Sequence, residues 1–144
     1  MSRLIVAAAA VLAAGLWAPS ARAQAPKKHK IVLQISSADP AVWKTAFNNV
    51  DNLIAGFGAG NVDIKVVAYG PGLAVFKKAN EPMARHIAGA KKMCPLGLEF
   101  SACSVTMKKV GVYAKDLAPY VDTADSGIVR VLQLQEQGYV YLRP

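Results

Sequence analysis

The sequence predicts a three-layer α/β domain, a mainly parallel β-sheet with helices on both faces, and three observations carry that prediction. Short, largely apolar runs, IVLQIS (31–36), VDIKVVAY (62–69) and GLEFSAC (97–103), have the length of buried strands and no helical periodicity. Between them lie stretches whose apolar residues recur every three to four positions, as on one face of a helix. Strand, helix and strand in alternation require crossover connections, and crossovers produce parallel pairs covered on both faces. The 144 residues read as one domain without internal repeats, long enough to bury a core without disulfide or metal.

The first strand, 31–36, leads into a loop in which Asp39 is a helix N-cap and Pro40 takes the first helical position. The helix that follows places Val42, Trp43, Ala46, Val50, Leu53 and Ile54 inward, has Asn49 at the edge of that face, and stops at 56–58. The second strand, 62–69, ends in Gly70-Pro71-Gly72, a turn that lets backbone or ligand approach closely. Leu73, Val75 and Phe76 then begin a short helical segment. Asn80 caps a second helix that runs to Lys92 with Met83, Ile87 and Ala90 inward, and Pro95 stops it. The third strand, 97–103, passes directly into a short helix, 104–110. A helical turn at 115–118 and a short strand at 120–123 come next. Ser126 opens the last helix, with Ile128, Val129, Leu132 and Gln135 inward, Gly138 ends it, and YVYL (139–142) is the closing strand.

Residues 1–23 have the pattern of a secretory signal peptide. A basic start, Met1-Ser2-Arg3, precedes an apolar run from Leu4 to Trp17, and Ala21-Arg22-Ala23 supplies a small-x-small cleavage site, so cleavage is expected after Ala23. The run is shorter than the roughly 20 residues that cross a bilayer as a helix. Residues 24–30 read as a flexible basic lead and 31–144 as the domain, giving a periplasmic or secreted protein with no membrane association after cleavage. The formal charge of +8 raises the question of nucleic acid. The lysines, however, are scattered pairs without aromatic interleaving or a binding motif, which makes them solvated faces and excludes a nucleic-acid partner.

The chemistry centres on Cys103, in FSACSVTM (100–107), where a strand runs into a helix. A thiol at a first helical turn faces unpaired N–H groups and the positive end of the dipole, and both favour thiolate. The competing reading is a small buried hydrophobe. Ligands of such sheets gather outside the carboxyl ends of the strands, where the loops 36–39, 69–73 and 103–106 meet. Ser37, Gly70, Gly72, Ser104 and Thr106, with Asn49 beside them, are therefore the candidate binding residues. Cys94 sits at the other end of the third strand at ~3.3 Å per residue, beyond the ~7 Å limit for a disulfide, so both thiols stay free.

A cysteine hydrolase needs a histidine base, but His29 lies in the lead and His86 on the second helix. No Cys or His pair has metal-ligand spacing, and the loop after the first strand lacks glycine and carries Asp39, which repels phosphate. No metal and no cofactor are expected. What remains is chemistry that needs only an accessible thiolate, formation of a persulfide or mixed disulfide.

The strings ISSADPAVWKTAFNN, VAYGPGL, GLEFSACSVTM and LQEQGYVYLRP, in that order, resemble the DsrE/DsrF-like sulfur-relay superfamily, specifically its exported single-domain branch, over about 30–144. The resemblance implies a flavodoxin-like fold with a five-stranded, mainly parallel sheet. It implies a homo-oligomer, trimer or hexamer, in which Cys103 carries a persulfide between donor and acceptor proteins. Val105 departs from the pattern, since related sequences usually have asparagine there. The expectation is a periplasmic sulfur-handling protein, a carrier or sulfurtransferase-like protein rather than a hydrolase or oxidoreductase. The alternative is a non-catalytic oligomeric binding module in which Cys103 merely lines a pocket.

Overall fold

Five short strands, the first three with buried apolar runs and the two edge strands more exposed, form a single sheet in the computed structural model, which describes residues 28–144. The expected signal peptide and residues 24–27 lie outside the described residues. The strands are β1 (His29–Ile35), β2 (Val62–Ala68), β3 (Leu98–Cys103), β4 (Val121–Ala124) and β5 (Val140–Leu142). Their order is β4-β3-β2-β1-β5 and every pair is parallel. The architecture is the flavodoxin-like three-layer α/β fold. β1 begins at His29 rather than after Lys30, because His29 and Lys30 pair with Val62 and Asp63.

Chain order explains how the helices divide between the faces. From β1 to β4 the strands advance in one direction, so right-handed crossovers put their helices on one side. These are α1 (Pro40–Phe57), α2 (Glu81–Met93) and α3 (Ser104–Val110). The connection from β4 back to β5 carries α4 (Gly127–Glu136) across the opposite face. The two cores separate accordingly. Ile31, Leu33 and Ile35 meet Phe47, Val50, Ile87 and Met107 on the first face, and Val32 and Val67 meet Val131 and Leu134 on the second.

Asp39 caps α1 by accepting the Ala41 amide at 2.8 Å, and Pro40 follows it. Phe47, absent from the expected inward set, is fully buried and stacks 5.9 Å from Phe100. Asn80 stands at the start of α2 without a side-chain capping bond.

α4 corrects the sequence reading. Ile128, Val129 and Leu132, expected inward, are exposed by 57%, 49% and 57%, and Gln135 is exposed too. The buried face is Gly127, Val131 and Leu134. Position 127 decides the rotation, because a residue without a side chain lets the helix start descend onto the sheet. The more apolar ridge is thereby left outside.

Candidate functional site

The parallel register brings the carboxyl ends of the central strands level, with Ile35 opposite Ala68, Ala68 opposite Ala102, and Cys103 opposite Ala124. Two close contacts then lock the three loops that follow. A Cβ on Gly72 would lie 2.3 Å from the Ile35 carbonyl oxygen, so only glycine fits where the second loop crosses the first. The Gly70 amide donates to Thr106 Oγ1 at 3.0 Å, tying the second loop to the third.

Cys103 is both the last residue of β3 and the N-cap of α3, where its sulfur accepts the Thr106 amide at 3.5 Å. The start of α4 arrives from the other face. A Cβ on Gly127 would lie 3.1 Å from Cys103 Cβ and 2.8 Å from Tyr69 Cβ. Burial pushes the Cys103 thiol up, but the Thr106 hydroxyl and the amides of Gly127, Thr106 and Val105 outweigh it and hold the thiol below its ordinary range. Two helix starts thus serve one sulfur, and the arrangement favours an anion there. Only 4% of Cys103 is open to solvent.

Tyr69 packs on Gly127 beside this sulfur. Burial raises its phenol, and Tyr141 and Cys103 push it in the same direction while Arg143 opposes them.

The profile of the DsrE/DsrF-like family matches residues 23–144. The chain belongs to that family. Among solved structures it is similar to MTH1491, a protein of unknown function from Methanobacterium thermoautotrophicum, with 30% identity and a TM-score of 0.74 over 81% of this chain and 100% of that one. No curated protein matches the chain.

Within this DsrE/DsrF-like chain the structure links Cys103, Thr106 and Gly70, Ser104 opens α3 beside them, and Gly72 packs instead on the Ile35 carbonyl and Ser36. Ser37 is occupied elsewhere: its hydroxyl accepts the Asp39 amide and its carbonyl accepts the Trp43 indole, which fastens the start of α1. Asn49 lies away from the sulfur, in a shallow hollow with Asn52, Leu53, Phe57 and Leu142. His86 pairs with Asp51 at 2.8 Å, and His29 stacks on Phe57. Cys94 is fully buried, and both cysteines are free. Gly127 and Tyr69 were not singled out from the sequence. The signal for Gly127 was a glycine in the first turn of a helix, where propensity alone favours almost any other residue.

Proposed function

We propose that this DsrE/DsrF-like protein handles sulfur in the periplasm, carrying it as a persulfide on Cys103 from a donor to an acceptor protein. Family membership supports a sulfur-relay-type protein. The observation that carries the finer reading is the placement of Cys103 at the start of α3, where its sulfur accepts the Thr106 amide, with the start of α4 packed against it at Gly127. Together the two helix starts stabilise the thiolate that attacks a sulfane sulfur and then the persulfide anion that results. Gly70 and Gly72 keep the neighbouring loop close enough to position Thr106. Signal cleavage after Ala23 releases the protein on the far side of the inner membrane.

Assembly as a homo-oligomer, trimer or hexamer, belongs to the same reading. Ile128, Val129 and Leu132 supply an exposed apolar ridge on α4 beside the thiol site, of the kind that subunit contacts cover.

One observation favours a second reading, a binding module without sulfur transfer: Cys103 is 4% exposed, and a carrier sulfur must be reached. Uptake of sulfur from a persulfide donor, followed by its release to a thiol acceptor, separates the two. A protein that takes up none is a binding module.

A further inference from the structure

Beside the thiol, a cleft of about 620 Å³ runs between the β3–β4 edge of the sheet and α4. Ser101, Asp122, Asp125, Ser126, Arg130 and Gln133 line it. Its upper end adjoins Cys103 in three ways. Ala124, also in the cleft wall, pairs with Cys103 in the β3–β4 ladder. Ser126 precedes Gly127, on which a Cβ would lie 3.1 Å from Cys103 Cβ. Ser101 stands two residues before Cys103 and so shares its face of β3.

The charges in the cleft are unevenly committed. Glu99, at the inner end, is matched by Lys65, whose ammonium also lies 3.0 Å from Asp63 Oδ1. Arg130, Asp122 and Asp125 form no ion pair among the described residues. The cleft lining therefore offers a half-buried guanidinium from α4 and two carboxylates from β4 and the turn after it, none of them ion-paired among the described residues. A planar guanidinium binds carboxylate in two-pronged fashion, and an aspartate pair suits an ammonium group. A small dianion such as thiosulfate would instead meet two like charges on its way to the sulfur.

We infer that this cleft is a binding site for a small zwitterionic aminothiol of the α-amino-acid type, a cysteine-like compound in its persulfide form. Its carboxylate rests on Arg130, its ammonium on Asp122 and Asp125, and its outer sulfur faces Cys103. The inference rests on the sulfur-carrying reading and names its small-molecule donor class. In the transfer, the Cys103 thiolate attacks the outer sulfur of R–S–S–H. A new S–S bond forms on Cys103 as the donor's own S–S bond breaks. The electron pair leaves with the donor as R–S⁻, the proton stays on the transferred sulfur, and no outside oxidant or reductant takes part.

The test has two readouts on the mature protein. The first is calorimetric titration of the Cys103→Ser protein, which cannot accept sulfur, with L-cysteine, with cysteamine, which lacks the carboxylate, and with 3-mercaptopropionate, which lacks the amine. L-Cysteine is expected to bind at least about tenfold more tightly than either analogue. Arg130→Gln and the Asp122→Asn/Asp125→Asn pair are each expected to erase that advantage. The second is loading of the wild-type protein by the persulfides of the same three compounds, read as a sulfur-sized mass increase. Equal binding of all three, or binding unchanged in the variants, overturns the inference. If Cys103 then loads from all three donors alike, the carrier reading survives without the site. L-Cysteine binding that depends on Arg130, with no sulfur reaching Cys103, upholds the site and removes the carrier reading. Neither binding nor loading removes both.

Discussion

Gly127 stands so close to Cys103 that a Cβ on it would lie 3.1 Å from the cysteine's own Cβ. The contact joins the two faces of the sheet at one sulfur. Cys103 caps α3, which belongs to the larger helical layer, while Gly127 begins α4, which covers the opposite face. Neither helix alone provides the full set of donors.

Gly127→Ala sets two effects against each other. Helix propensity gains about 1 kcal/mol, whereas overpacking against Tyr69 and Cys103 costs about 1–3 kcal/mol. The clash wins because Tyr69 Cβ and Cδ1, at 2.8 and 2.9 Å, are near the backbone and cannot swing aside. Urea unfolding is expected to show a net loss of stability. Alkylation of Cys103 is expected to need higher pH, since moving the start of α4 away weakens the influence of Gly127 that lowers the thiol pKa.

Thr106→Val keeps the side chain's shape and removes its hydroxyl. That hydroxyl bonds the Cys103 thiol and accepts the Gly70 amide. A stability loss of about 1–2 kcal/mol is expected, together with a higher apparent thiol pKa in the pH profile of iodoacetamide reaction. Thr106→Ser, which keeps both bonds, should restore the profile. A profile that does not move in Thr106→Val would show that the hydroxyl has no part in holding the thiolate.

The lowered thiol pKa carries a signed stability effect. A group that is more acidic folded than unfolded contributes fully above its unfolded pKa, and the contribution is lost as pH falls through the folded value. The stability difference between the wild-type protein and Cys103→Ser is therefore expected to move in favour of the wild type as pH climbs across that window. A difference independent of pH would contradict a depressed thiol pKa.

Most of the scaffold was legible in the sequence because its signals are local. Asp39-Pro40 starts α1, Gly70-Pro71-Gly72 ends β2's excursion, and the apolar runs mark buried strands. The site was half legible for the same reason: Cys103, Ser104 and Thr106 are neighbours in the chain, and a strand-to-helix junction is a local pattern. Gly127 and Tyr69 reach the sulfur only through the fold, from 24 and 34 residues away, which no periodicity encodes. The rotation of α4 was misread for a related reason. The sequence offers Ile128, Val129 and Leu132 as the more apolar face, but the face that meets the sheet is chosen by the space above Cys103 and Tyr69.

That outward ridge gives a prediction for assembly. Leu132 is 57% exposed, so Leu132→Glu should leave protomer stability within about 0.5 kcal/mol of the wild type. If the ridge lies between subunits, sedimentation velocity should show a larger species in the wild type and a smaller one in the variant. A wild type that sediments as a monomer removes the homo-oligomer from the proposed function.

Sulfur loading of Cys103 decides the proposed function most directly. The mature protein, Cys103→Ser and Cys94→Ser are each incubated with a polysulfide donor, and their intact masses are measured before and after reduction. A single sulfur-sized adduct is expected on the wild type and on Cys94→Ser, absent from Cys103→Ser and removed by reductant. No adduct, or an adduct shared equally between the two cysteines, would contradict a sulfur carrier and leave a binding module of the same fold.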